Sequence, residues 1–172
     1  MEDIGFKKLD LDNWKKPDEM TTAFRRLSDG EPKIIQGNDW MRKILKPKLI
    51  GQVPIEVKRL FEVVRGAFAY GYYFYPLYTL GTKQLYRVSE SAIKHKCRLC
   101  SVPKKAKSFC EKLNWLKGQE IISESEHTKW TATRKLRNIT SHPDNQSILM
   151  PSMAITHLSL SSEMINKLFE DI

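Results

Sequence analysis

Residues 53–97 read VPIEVKRLFEVVRGAFAYGYYFYPLYTLGTKQLYRVSESAIKHKC, and their pattern decides the fold. Val57, Leu60, Phe61, Val64, Ala67 and Phe68 recur at three- and four-residue spacing, while Lys58, Arg59, Glu62 and Arg65 lie opposite. That pattern predicts a helix with one buried face. Pro54 suits a first turn and Gly71 a terminus. Pro76 then opens a second helix. Its stripe of Leu77, Gly81, Leu85, Val88, Ala92, His95 and Leu99 runs to about Cys100.

The same period continues downstream. Ser101 and Pro103 break the chain and start a third helix with a stripe of Ala106, Phe109, Cys110, Leu113 and Leu116, closed by Gly118. A fourth helix begins near Ser123, with Glu126 placed for a capping box, and ends at Pro143. Trp130, Thr133, Leu136 and Ile139 or Thr140 form its inner face. Pro151 to Ile172 gives one last helix, or two short ones broken near Ser159 to Ser162, with Met164, Ile165, Leu168 and Phe169 inward. Alternating strand patterns with turn signals are lacking, so no sheet is expected. The reading is all-α: an up-and-down bundle of four core helices with a C-terminal capping helix.

Residues 1–50 read as a partly helical accessory arm, and residues 51–172 as the helical domain. In the arm, Pro17 to Leu27 is a candidate helix closed by Ser28, Asp29 and Gly30. Asn38 is a candidate cap for Asp39 to Leu45. Trp14, Phe24, Trp40 and Ile44 give the arm something to bury.

The formal net charge is +9, of which residues 1–50 carry +2 and residues 51–172 carry +7. A basic surface concentrates polyanions such as RNA around it, although lysine-rich solvated helix faces are also common. Without a signal-peptide pattern or an apolar run of membrane-spanning length, the expectation is a cytoplasmic protein. Three cysteines, an odd number, fit free thiols in a reducing compartment. A phosphate-binding glycine loop, a nucleophile elbow and a zinc-finger spacing are all lacking.

The stretch that carries chemistry is RKLRNITSH, Arg134 to His142, at the end of the fourth helix. Arg137 and His142 are five steps apart, about 500° around a helix, and would not share a face if the helix continued. The residue before a proline avoids helical geometry, so Pro143 lets His142 leave the helix near its C-terminal carbonyls. An imidazole there titrates near neutral pH and can move protons to and from RNA oxygens. Arg137 supplies a planar permanent cation for a phosphate, and Asn138 a group to orient either one.

This motif resembles that of the HEPN family: Arg, four to six residues, then His, often with a polar residue after the Arg, as Asn138 is here. Residues 53–97 look like the family's first helical hairpin and residues 148–169 like its C-terminal helix, so the likeness covers roughly residues 53 to 170. The resemblance implies a metal-independent endoribonuclease without a cofactor, with Arg137, His142 and Asn138 catalytic. It further implies RNA cleavage to a 2′,3′-cyclic phosphate and a 5′-hydroxyl, in a toxin or antiviral defence effector. A homodimer with one composite active site and a regulatory protein partner belong to the same expectation. Some family members are instead non-catalytic modules that bind a partner protein or nucleotide.

Glu90 and Arg134 are candidate supporting residues. Glu90 resembles an acidic or polar position of the family and is placed to brace Arg137 across the bundle, or to pair with Lys94 on its own helix. Lys94, Lys96, Arg98, Lys104, Lys105 and Lys107 bracket the second interhelix turn, as a track for a phosphate backbone or a solvated turn. The aromatic run from Phe68 to Tyr78 reads chiefly as core or a self-association surface. His95, Cys97, Cys100 and Cys110 provide one CxxC-like pair where a zinc site needs two.

Overall fold

The structure, a computed structural model, describes residues 5–28, 30–140 and 149–170, with the backbone alone for residues 26–28 and 137–140. It is all-α in its body. The hairpin read from the sequence consists of α3 (Ile55–Tyr70) and α4 (Leu77–Leu99), with Pro54 as N-cap of the first and Gly71 as its C-cap. Val57, Phe61, Val64 and Phe68 form the buried face of α3. On α4 the buried stripe runs through Tyr78, Gly81, Leu85, Val88, Ala92, Ile93, Lys96 and Cys97. The expected continuation to Leu99 fails: that side chain is 58% exposed. Leu99 is the last residue of α4, and the buried stripe stops at Cys97.

The helices α3 and α4 approach closely at Gly81. A Cβ there would lie 2.6 Å from Cε1 of Phe68, so only glycine fits. The turn between them is a packed aromatic cluster. Tyr72, Tyr75 and Tyr78 are buried, Tyr75 and Tyr78 meet edge to face at 5.4 Å, and only Tyr70 and Tyr73 turn to solvent.

Three further helices complete the bundle: α5 (Phe109–Gly118), α6 (Glu124–Thr140) and α7 (Pro151–Phe169). The third helix starts later than Ser101 and Pro103 suggest. Ser108 caps it in a capping box with Glu111, and residues 103–107 form turns instead. It stops at Gly118 as expected, and the positive-φ residue just beyond is Glu120. The last helix is unbroken through its serines, because Ser162 Oγ satisfies itself on the Ser159 carbonyl 2.8 Å away and leaves the ladder intact. On α6, Trp130 is buried as expected but Leu136 is 43% exposed.

The helix α4 is the spine, packed against α3, α5, α6 and α7. At one end of α7 the Leu149 N–H donates to Thr79 Oγ1 at 3.3 Å, and at the other Lys96 Nζ lies 6.0 Å above the Phe169 ring. So α7 runs parallel to α4.

The arm departs most from its sequence reading. The predicted helix over Pro17 to Leu27 is only α1 (Glu19–Ala23). Phe24 turns extended and stacks on Tyr75 at 6.3 Å, and the chain continues as an antiparallel hairpin, β1 (Arg25–Ser28) with β2 (Glu31–Ile34). That two-stranded ribbon corrects the expectation of no strands. The second arm helix, α2 (Gly37–Leu45), is preceded by Gln36 rather than capped by Asn38. Trp40 and Ile44 are buried and join the main core, whereas Trp14 is 53% exposed. The arm is pinned by Asp18, 1% exposed, whose carboxylate accepts from the N–H groups of Met20 at 3.0 Å and Tyr75 at 2.8 Å. No helix among the described residues is long and apolar enough to cross a membrane.

Two helical glycines give opposite expectations. Gly81→Ala should destabilise by about 1–3 kcal/mol through overpacking against Phe68. Gly66→Ala on α3, where a Cβ meets nothing within 4 Å, should stabilise by about 0.5–1 kcal/mol. Urea unfolding of the two variants checks both signs.

Candidate functional site

The first turn of α6 is built as its sequence predicts. Ser123 Oγ accepts from the Glu126 N–H at 3.3 Å, and Glu126 Oε2 accepts from the Ser123 N–H at 2.7 Å. Glu126 also pairs with Lys167 Nζ at 3.4 Å. Burial opposes its ionisation, but the Ser123 hydrogen bonds and the Lys167 ammonium outweigh that and hold the carboxyl below its ordinary range. This cap fixes where the helix begins, and therefore which residues reach its far end.

At that far end the backbone is helical through Thr140, so Arg137 and Asn138 lie in the last turn of α6. His142 lies outside the described residues, and so does the Arg137–His142 geometry. Arg134, one turn earlier, is half-buried, with its Nε enclosed and unpartnered.

The Lys167–Glu126 pair ties the last turn of α7 to the first turn of α6. Between these helices lies a groove of about 220 Å³, lined by Glu126, Lys129 and Trp130 on one side and Leu160, Glu163 and Met164 on the other. The two helices therefore run antiparallel. Stepping one turn at a time from Glu126 opposite Lys167, Trp130 comes level with Glu163 and Met164, Thr133 with Leu160, and Arg137 with His157.

His157 is a residue that the sequence reading passed over. Its spacing to Leu160, Met164 and Lys167 is three, four and three, a continuous stripe on α7, and that spacing was the available signal. The imidazole is half-buried, and Nδ1 is enclosed without a hydrogen-bond partner. Burial lowers its pKa below the ordinary 6.5. From the α4 side, the parallel run of α7 brings Tyr86 level with His157, and Glu90 about one turn further along, level with Leu160 to Glu163. Tyr86 is buried, and its phenol is pushed up by desolvation. Glu90 is half-buried and takes part in a polar interaction.

The basic run lies elsewhere. Arg98 is about 18 Å further along α4 than Tyr86 at 1.5 Å per residue, and Lys104, Lys105 and Lys107 follow in the turn beyond. Lys94, Arg98, Lys104, Lys105 and Lys107 are exposed. Lys96 is not: it is 8% exposed, folded inward over Phe169. Cys97 is buried beside it, and burial pushes its thiol up to about 11. Among the described residues no group of three His, Cys, Asp or Glu side chains converges as a metal site.

Compared with protein-family models, curated proteins and solved structures, the chain matches none of them.

The lowered His157 pKa carries a stability consequence. The unfolded chain binds a proton at this residue below about pH 6.5, while the folded chain resists it until lower pH, so stability should fall as pH drops through that window. In His157→Gln, whose side chain does not titrate, the decline should be shallower. Urea midpoints between pH 5 and 8 (roughly the span over which an ordinary His titrates) make the comparison.

Proposed function

We propose that the chain is a HEPN-type, metal-independent endoribonuclease that cleaves RNA to a 2′,3′-cyclic phosphate and a 5′-hydroxyl. The observation that supports this reading is that the α6 backbone around Arg137 comes level with His157 of α7 and Tyr86 of α4, with the polar residues Arg134 and Glu90 within about a turn. A helix end set against such a layer suits a reaction that needs a fixed cation and proton transfer. Arg137 holds the scissile phosphate and offsets the charge that builds on phosphorus. Asn138 orients the phosphate or its neighbours. His142, just before Pro143 in the sequence, protonates the departing 5′-oxygen. Glu90 braces the arginines from α4. The exposed lysines of the α4–α5 turn draw in the RNA backbone.

A second copy of the chain belongs to the same proposal. Leu136 on α6 and Met153 and Leu160 on α7 are each about two-fifths exposed, apolar side chains that a two-fold contact would cover. A dimer through these side chains brings two motifs and two basic surfaces around one RNA.

Purified protein incubated with total RNA tests the reading. Cleavage should survive EDTA and leave cyclic-phosphate ends. Arg137→Ala and His142→Ala should each slow it by about two orders of magnitude. Cleavage that stops on chelation and returns with magnesium would sink the mechanism. RNA binding without any cleavage would point to the non-catalytic class of module.

A further inference from the structure

We infer that the groove where the arm meets the first turns of α7 binds a small amphipathic anion, a hydrocarbon body carrying one carboxylate head. The inference stands apart from the ribonuclease reading. The groove holds about 420 Å³, within the roughly 300–1,000 Å³ of small-molecule sites, which concentrate where structural units meet. Three parts of the chain build it. Phe24 and Ile35 flank the β1–β2 ribbon, Trp40 comes from α2, and Pro151 and Ile155 lie about one turn apart on α7. The walls are fixed by contacts of their own. Phe24 stacks on Tyr75 at 6.3 Å, and Trp40 donates its Nε1–H to the Phe68 carbonyl at 3.2 Å. The Thr21 hydroxyl, also in the lining, is spent on the Gly71 carbonyl at 3.1 Å. What these groups leave for a ligand is carbon, and walls already in place lower the ordering cost of binding.

Charge selects the head. Arg25 and Lys43 line the same groove, both exposed, and no carboxylate joins them among the described lining residues. The Arg25 guanidinium is positioned by the carbonyls of Thr22 and Phe24, which carry no net charge. Asp39, about one turn before Lys43 on α2, pairs with Arg42 at 3.3 Å and does not line the groove. Other grooves on the molecule differ. Glu62 lines the one beside Lys58 and Arg65, Asp18 and Glu19 line the one beside Lys7 and Lys16, and Glu126 and Glu163 line the one at Trp130. In each of those a carboxylate offsets the neighbouring cations. The groove between arm and α7 instead joins an apolar interior to charge of one sign. That combination attracts an anion with a hydrocarbon body and repels a cation of the same shape. A ligand seated there touches the arm, α2 and α7 together, so its binding free energy also holds the arm on the bundle.

Octanoate, octan-1-ol and octylammonium share a chain and differ in head charge, and NMR titration with each, below the concentration at which it aggregates, tests the inference. Octanoate should shift the Trp40 indole N–H and Ile155 methyl resonances and leave the Trp130 indole unmoved. Octan-1-ol should bind the same groove about fivefold more weakly, the scale of two exposed ion pairs, and octylammonium more weakly still. The Tm should rise with octanoate concentration. The double variant Arg25→Gln, Lys43→Gln changes two exposed positions and should keep its fold by circular dichroism while losing the preference for octanoate over octan-1-ol. Trp40 resonances that do not move overturn the inference, and so do equal affinities for the three heads or equal shifts at Trp130. A dimer in light scattering that the double variant dissolves, with no response to octanoate, gives the groove to a second copy and overturns it as well. If the double variant does not fold, the ranking of the three heads on wild type decides alone.

Discussion

Everything in this fold depends on how closely α3 and α4 approach at Gly81. The Phe68 ring occupies the space that any other side chain would need at that position, which sets the helix spacing at the aromatic end. That contact seats Tyr78, which in turn packs edge to face on Trp40 at 5.5 Å and so draws the arm into the same core. The Asp18 carboxylate then closes the turn from outside by accepting the Tyr75 N–H. A buried acceptor of this kind is strongly favourable when satisfied, and costly when its partner is lost. With α4 held, the helices α5, α6 and α7 have a fixed surface to pack on, and the levels of their polar residues follow.

Much of this was readable from pattern alone. The bounds of α3 and α4 and the Ser123–Glu126 capping box follow from local signals: apolar period, cap chemistry and proline. Those signals act within a turn or two, so they survive without tertiary information. The arm was less legible for the opposite reason. Phe24 leaves the helix to stack on Tyr75, a residue 51 positions away, and β1 pairs only with its neighbour β2. Nothing in residues 17–34 announces a partner that far along the chain. Leu136 and Lys96 show the same limit. Each breaks the inside–outside rule because of what packs beside it, with Lys96 drawn over the Phe169 ring and Leu136 left on an open face.

The candidate site divides in the same way. Arg137, Asn138 and His142 are legible because they form a motif in one stretch of chain. The place of His157 is not, because a lone histidine in an amphipathic helix has no local mark that says what lies beside it. Register decides that. The ion pair at the Glu126 end of α6 is far from the motif, yet together with the groove at Trp130 it fixes which α7 residue comes level with Arg137. A helix is stiff enough that one tie at its first turn positions its last.

Energetics bear on why such a layer persists. An enclosed polar nitrogen without a partner costs about 1–3 kcal/mol, a sizeable fraction of a domain's net stability. Other buried unpartnered polar atoms have separate settings: Tyr78 and Thr82 sit by the aromatic turn, and the Arg65 guanidinium bonds elsewhere through its other two nitrogens. Arg134 and His157 differ in lying on the antiparallel helices α6 and α7, about one turn apart in level, each half-buried. Apolar residues at those two positions would extend the Trp130 stripe and remove the cost. Local rules of this kind are broken most readily where a site needs groups that packing alone would exclude. A half-buried imidazole and a half-buried guanidinium, each with an enclosed nitrogen left unpartnered, are poor material for a core.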